Sequence, residues 1–178
     1  MMDFTEKTIK SEKIFSGKIL NLRVDTVELP NGNVSTREIV EHAGGVGIIP
    51  VTNNMEVIMV KQFRKPIEDI CLEIPAGKLK EGEDPLQCGV RELEEETGYK
   101  AHNIQSLGSF YPTPAFTNEV LYLYMATGLC KGQVKLDEDE FVETEIIPLA
   151  KLVDMVMQGE VKDAKSIIAI LKASQLLK

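Results

Sequence analysis

Tryptophan is absent, and only two histidines (His42 and His102) and three cysteines occur among 178 residues. Two histidines are too few for a histidine-rich metal centre. Cys71, Cys88 and Cys130 are odd in number and scattered, with no CxxC spacing. That excludes a disulfide framework or a thiolate zinc site and fits a reducing compartment. No apolar run approaches the ~20 residues that a membrane helix needs. The opening stretch MMDFTEKTIKSEK lacks the apolar core of a signal peptide, so the expected location is cytoplasmic. Positive charge is also scarce: 20 Lys and Arg stand against 28 Asp and Glu, a net charge of −8. Such a surface repels a phosphate backbone, so no nucleic acid is expected as partner, and no membrane. An anionic substrate must be received by local positive groups or through divalent cations.

What is present suffices for a real core. Hydrophobic residues make up 43% and charged residues 27%, an ordinary globular balance for one domain, or one domain with a small appendage. Leu22–Leu29 and Val34–His42 are β-rich and flank the turn signal Pro30-Asn31-Gly32-Asn33, which predicts a hairpin. Residues 1–42 read as an N-terminal antiparallel β-subdomain and residues 43–178 as the main domain. A second hairpin is predicted from Gly44–Thr52 and Glu56–Arg64. Further strands are expected at Ile70–Ile74, Gln105–Phe110, Val120–Ala126 and Phe141–Ile147. Three helices are predicted, from about Pro85 to Thr97, near Leu149–Met157, and from about Asp163 to Leu177. Short strands with segregated helices indicate an α+β fold, a sheet covered by helices.

The first helix carries the chemistry. Asp84 suits its N-cap, Pro85 its first turn and Gly98 its C-terminal stop. Within Arg91-Glu92-Leu93-Glu94-Glu95-Glu96, helical spacing puts Glu92, Glu95 and Glu96 on one face. Leu86, Val90 and Leu93 form a separate apolar stripe expected to dock on the sheet. Clustered carboxylates repel, and the negative end of the helix dipole adds to the repulsion. A divalent cation reverses that balance, and an all-oxygen donor set suits a hard ion such as Mg²⁺ or Mn²⁺. By itself such a helix is equally well a solvated acidic face, and Glu94, pointing almost opposite to Glu92, reads as a surface residue.

The residues ahead of the helix decide between these readings. The stretch Gly77-x5-Glu83-x7-Arg91-Glu92-Leu93-x-Glu95-Glu96-x-Gly98-Tyr99 resembles the Nudix box at every defined position. The resemblance implies an α/β/α sandwich with a mixed sheet and a loop–helix–loop that binds divalent metal. It also implies cleavage of a nucleoside diphosphate linked to another moiety. Carried over position by position, it makes Glu92, Glu95 and Glu96 the metal-facing acids and the Ala76 carbonyl a further ligand. Gly77, Glu83, Arg91 and Gly98 become organisers of the loop and helix.

Outside the box, the resemblance extends nearly end to end and points to the bacterial ADP-ribose pyrophosphatase group. It is carried by Ile14-Phe15-Ser16-Gly17-Lys18, Glu28-Leu29-Pro30-Asn31-Gly32, Arg37-Glu38-Ile39-Val40 and Val60-Lys61-Gln62-Phe63-Arg64. Pro114 within Phe110–Glu119 and the tail Asp163-Ala164-Lys165 belong to it as well. It implies hydrolysis of ADP-ribose to AMP and ribose 5-phosphate, with two or more Mg²⁺ ions per site. It implies a homodimer built by the N-terminal subdomain, with shared active sites. Residues matching Arg37, Glu38, Arg64 and Glu119 would line the substrate site. Lys18 stands where some members of the group place an aromatic against the adenine. In the acidic run Leu136–Phe141, otherwise a solvated loop, the resemblance makes Glu138 the base and Glu140 an acid that approaches the metal. Glu95 is a second catalytic candidate. A nucleotide-sugar pyrophosphatase acting on GDP-mannose or ADP-glucose, and a non-catalytic ligand-binding regulator, are the alternatives.

Overall fold

The computed structural model describes residues 3–136 and 140–178. The chain divides into two compact units: Met1–Gly44 with Tyr111–Val120, and Gly45–Phe110 with Leu121–Lys178.

In the first unit, β1 (Lys7–Ser16), β2 (Leu20–Glu28) and β3 (Val34–His42) form an antiparallel sheet in the order β1-β2-β3. The β2–β3 hairpin is the predicted one. Gly32 adopts φ 83° in its turn, and the amide of Leu29 donates to the carbonyl of Asn33 at 2.8 Å. Strand β1 falls within the predicted N-terminal β-subdomain, in a polar stretch where no strand is expected. All ten of its residues are exposed, and its apolar residues Ile9, Ile14 and Phe15 do not alternate regularly with polar ones. It exists because β2 offers a free ladder edge. The segment Tyr111–Val120 joins this unit through a parallel bridge between Val40 and Thr117 and a hydrogen bond from the His42 amide to the Asn118 side chain, 2.9 Å.

The second unit starts from β4 (Gly45–Pro50), which is buried along its whole length. It pairs in parallel with β9 (Leu121–Lys131) and antiparallel with β7 (Ala76–Lys78), and β8 (Tyr99–Phe110) closes the mixed sheet β7-β4-β9-β8. Alternation then gives β4 two apolar faces. Ile48 meets Leu93 of α1 (Pro85–Thr97) on one side. On the other side Ile49 packs in the core shared with α2 (Leu149–Met157) and α3 (Ala164–Leu176). The fold is therefore α+β, helices on both faces of a mixed sheet. A smaller sheet, β10-β5-β6, combines β10 (Glu143–Pro148), β5 (Glu56–Arg64) and β6 (Asp69–Glu73).

Two expectations are corrected. Strands β4 and β5 do not form a hairpin: they lie in different sheets and share only a bridge between Val51 and Val57. Because β4 is apolar on both faces and pairs with β9 and β7, its edges are already taken. The apolar stripe of α1 also differs. Leu86 and Val90 are exposed, and the buried side is Cys88, Gly89, Glu92, Leu93, Glu96 and Thr97. Gly89 lies on this buried side, where a Cβ would stand 3.1 Å from Cγ1 of Val46, so glycine favours the close approach. The helix lies close over β4 and turns its acids inward instead of toward solvent.

Candidate active site

Helix α1 is held at both ends by its own sequence. The Asp84 carboxylate accepts from the amides of Leu86 (3.0 Å) and Gln87 (3.1 Å), and Gly98 closes the helix at φ 72°, a left-handed value that favours glycine. Thus fixed, the helix presents Glu92 and Glu96 to the entering loop at 7% and 4% exposure. Glu96 Oε2 accepts from the Ala76 amide at 3.1 Å. Gly77 leaves the room that Glu92 fills: a Cβ on residue 77 would fall 1.7 Å from Glu92 Oε1. The glycine that opens the motif is thus required by the acid 15 positions later (92 − 77).

Arg91 organises the remaining acids. Its Nε donates to Glu83 at 3.1 Å, and its Nη1 donates to Glu92 at 2.7 Å and Glu95 at 2.8 Å. Burial opposes the guanidinium charge, but the hydrogen bonds to Glu83 and Glu95 and the charge of Glu92 outweigh it and push its pKa upward. Glu83 accepts from the Lys80 amide and from Arg91, both of which hold its pKa below the usual value. Because Arg91 stands between Glu92 and Glu95, the three acids share a face without meeting at one point. Among the described residues, no three histidines, cysteines or acids form a closed metal-binding group.

The electrostatics of the inward face nevertheless suit a cation. Burial raises the pKa of Glu92, Arg91 lowers it, and the charges of Glu95 and Glu140 raise it further. Glu96 is pushed up to about 8, first by burial, against the Ala76 hydrogen bond, with Glu92 and Glu140 adding repulsion and Arg64 relieving it. Glu140 and Arg64 are therefore electrostatic neighbours of this pair. Buried, mutually repelling oxygen donors are the chemistry that a hard divalent ion stabilises.

The other sequence candidates fall in several places. Asp137, Glu138 and Asp139 lie outside the described residues. Glu140 lines a cleft of about 500 Å³ with Lys61, Phe63, Ile70 and Phe141. In the N-terminal unit, Arg37 is bound by Glu6 (Nε to Oε2, 2.8 Å), and Glu119 stands 3.2 Å from His42 Nδ1. Arg37 and Glu38 are successive residues of β3 and project from opposite faces of their sheet. Lys18 is exposed.

Two buried or half-buried acids have partners that were not legible in the sequence. Glu94, read as a surface acid, pairs with Lys100 at 3.2 Å and accepts from the Gln133 amide at 3.4 Å. Glu73, 2% exposed, accepts from Arg64 Nε and Nη2 at 2.7 Å each and from Lys165 Nζ. Burial pushes the Glu73 carboxyl up, but the Arg64 hydrogen bonds and the nearby Lys165 outweigh it and hold it at about 2. An acid closing an otherwise apolar strand was the available signal, because buried charges require partners.

The chain belongs to the Nudix family: the NUDIX domain matches residues 41–169, and the nucleoside diphosphate sugar hydrolase N-terminal domain matches residues 6–40. It is 49% identical over 172 residues to the ADP-ribose pyrophosphatase of Bacillus subtilis, covering 96% of this chain and 93% of that protein. It is 48% identical over 169 residues to the methanol dehydrogenase activator of Bacillus methanolicus, covering 94% and 91% respectively. A solved ADP compounds hydrolase superposes with a TM-score of 0.86 at 20% identity, over 97% of this chain and 94% of the other, a likeness of fold.

Proposed function

We propose that this protein is a divalent-metal-dependent hydrolase that cleaves the diphosphate of ADP-ribose to AMP and ribose 5-phosphate. The observation that carries the reading is the inward-facing pair Glu92 and Glu96, packed on the Ala76–Gly77 strand within a complete Nudix box. The high identity to a protein named ADP-ribose pyrophosphatase supplies the substrate. Glu92, Glu95, Glu96, Glu140 and the Ala76 carbonyl are the proposed holders of Mg²⁺, two or more ions, which when bound neutralise the diphosphate and activate water for attack at phosphorus. Arg91 orients Glu92 and Glu95, and Glu83 orients Arg91. Arg64 supplies positive charge for the substrate, with Arg37, Glu38 and Glu119 as further substrate contacts. A panel of ADP-ribose, ADP-glucose and GDP-mannose with Mg²⁺, products identified by mass, tests the assignment. Preferred turnover of either nucleotide sugar would replace ADP-ribose as the substrate.

Glu138 is the proposed base. Glu138→Gln should retain ADP-ribose and Mg²⁺ binding but lose roughly 10²–10⁴-fold in kcat, the contribution typical of a general base. Glu140→Gln should instead regain activity as Mg²⁺ is raised, because a weakened ligand answers to mass action. Wild-type rates in both variants would remove the loop from the mechanism and return the role of base to Glu95 or Glu119.

We further propose a cytoplasmic homodimer built by the N-terminal sheet. The edge strand β1 exposes Ile9, Ile14 and Phe15, apolar surface on a ladder edge that a small unit cannot cover alone. Sedimentation at micromolar concentration should give a dimer, and mixing Arg37→Ala with Glu96→Gln chains should restore activity if each site borrows Arg37 from its neighbour. A fully active monomer defeats the idea.

A further inference from the structure

Arg64 occupies an unusual position for an exposed strand end. Its side chain remains 42% exposed, while the carboxylate that grips it, Glu73, is buried at 2%. Nε and Nη2 both reach Glu73 at 2.7 Å, a planar fork-to-fork pair. That fork uses two of the five guanidinium N–H donors, and the rigid plane turns the other three away from Glu73. The same Glu73 Oε2 that takes Arg64 Nη2 also accepts from Lys165, which lies 3.0 Å from Asp163. Asp163 is the N-cap of α3, accepting from the Ser166 amide at 3.0 Å. Ser166 Oγ in turn accepts from the Ile74 amide at 2.8 Å. The start of α3 therefore fixes Glu73 and Ile74 together, two residues before the Ala76–Gly77 strand on which Glu92 and Glu96 pack. Arg64 opens onto a cleft of about 640 Å³ lined by Lys162 and Lys165 and by the acids Asp69, Glu73 and Asp163, and its positive charge eases the repulsion that raises the Glu96 pKa.

We infer that Glu73 is a positioning residue for Arg64: locked in place by Lys165, it aims the uncommitted guanidinium edge at an oxygen of the anionic substrate beside the acid pair. The inference rests on the reading that Arg64 contacts the diphosphate substrate. An ion cluster serving stability alone would need neither a half-exposed arginine nor a fork that fixes its plane. Lysine in the place of Arg64 could neutralise Glu73 but could not transmit an orientation.

A double-mutant cycle tests this, with ADP-ribose turnover in Mg²⁺ and the melting temperature measured for wild type, Arg64→Ala, Glu73→Gln and the double variant. Glu73→Gln should raise KM for ADP-ribose about tenfold or more, as expected when a charge-assisted hydrogen bond is misdirected, with a much smaller change in kcat. In the Arg64→Ala background the same change should raise KM no further, whatever it does to melting. If Arg64→Ala raises KM while Glu73→Gln leaves it within twofold of wild type, or if the two effects multiply, the positioning role is overturned. If Arg64→Ala itself leaves KM unchanged, Arg64 is no substrate contact, and the underlying reading falls with the inference. Should Glu73→Gln fail to fold, Glu73→Asp keeps the charge and draws the guanidinium back by one methylene. It should raise KM with near-normal melting, and an unchanged KM there also overturns the proposal.

Discussion

Glu96→Gln is expected to lower kcat by at least about a hundredfold, roughly 2.7 kcal/mol of transition-state stabilisation, while stabilising the metal-free protein at alkaline pH. The two effects have one cause. Glu96 is 4% exposed and its carboxyl is pushed from 4.5 to about 8 by burial and by the charges of Glu92 and Glu140. Between those two values the folded chain without metal binds a proton that the unfolded chain has released. Its stability is therefore fully present below pH 4.5 and is lost as pH rises toward 8. Glutamine keeps the shape and the acceptor for the Ala76 amide without carrying the charge. Melting curves in EDTA from pH 5 to 9 should fall for wild type and stay flatter for the variant, and added Mg²⁺ should raise the wild-type curve selectively. Glu92→Gln should show the same loss of kcat with a smaller gain in melting, because Arg91 already balances part of the Glu92 charge. Near-normal turnover of either variant in saturating Mg²⁺ removes that residue from the metal set.

The parts of this molecule that the sequence announced are those set by local rules. The bounds of α1 follow from Asp84, Pro85 and Gly98, each acting within one turn, and the β2–β3 hairpin follows from its Pro-Asn-Gly-Asn turn. The box residues were legible through their resemblance to the Nudix motif, and their partners Glu83–Arg91 and Arg91–Glu95 lie at the short separations of one loop and helix. What escaped depends on long-range packing. Which face of α1 goes inward depends on its packing over β4, where Gly89 meets Val46 from 43 positions away (89 − 46), and it contradicted the apolar stripe of Leu86 and Val90. The divergence of β4 and β5 into separate sheets depends on β9, which lies far downstream. Glu73 became meaningful only when α3 brought Lys165 to it across 92 positions. Strand β1 carries Ile9, Ile14 and Phe15 at irregular spacing and buries none of them, so neither a two-residue alternation nor a core face marks it in the sequence.

Gly77→Ala should be as damaging to activity as losing an acid, about a hundredfold in kcat, yet nearly silent in folding. The added Cβ would stand 1.7 Å from Oε1 of Glu92 and 2.0 Å from its Cδ, distances at which one group must move. The obstacle is the Glu92 side chain from its Cγ (2.5 Å) outward and not backbone, so the chain relieves it by rotating Glu92 and keeps its fold. The melting temperature should consequently shift by only a few degrees, as for a change of well under a few kcal/mol in a domain of this size. Glu92, however, would be driven from its place beside Glu96, and a misplacement of about 1 Å at a reacting centre is enough to cost two orders of magnitude. Adding Glu92→Gln to Gly77→Ala should therefore reduce kcat little further, since both changes remove the same carboxylate from the same position. Near-wild-type kcat for Gly77→Ala would mean that Glu92 can serve from another rotamer, and that the close approach of loop and helix is a packing feature and not a catalytic one.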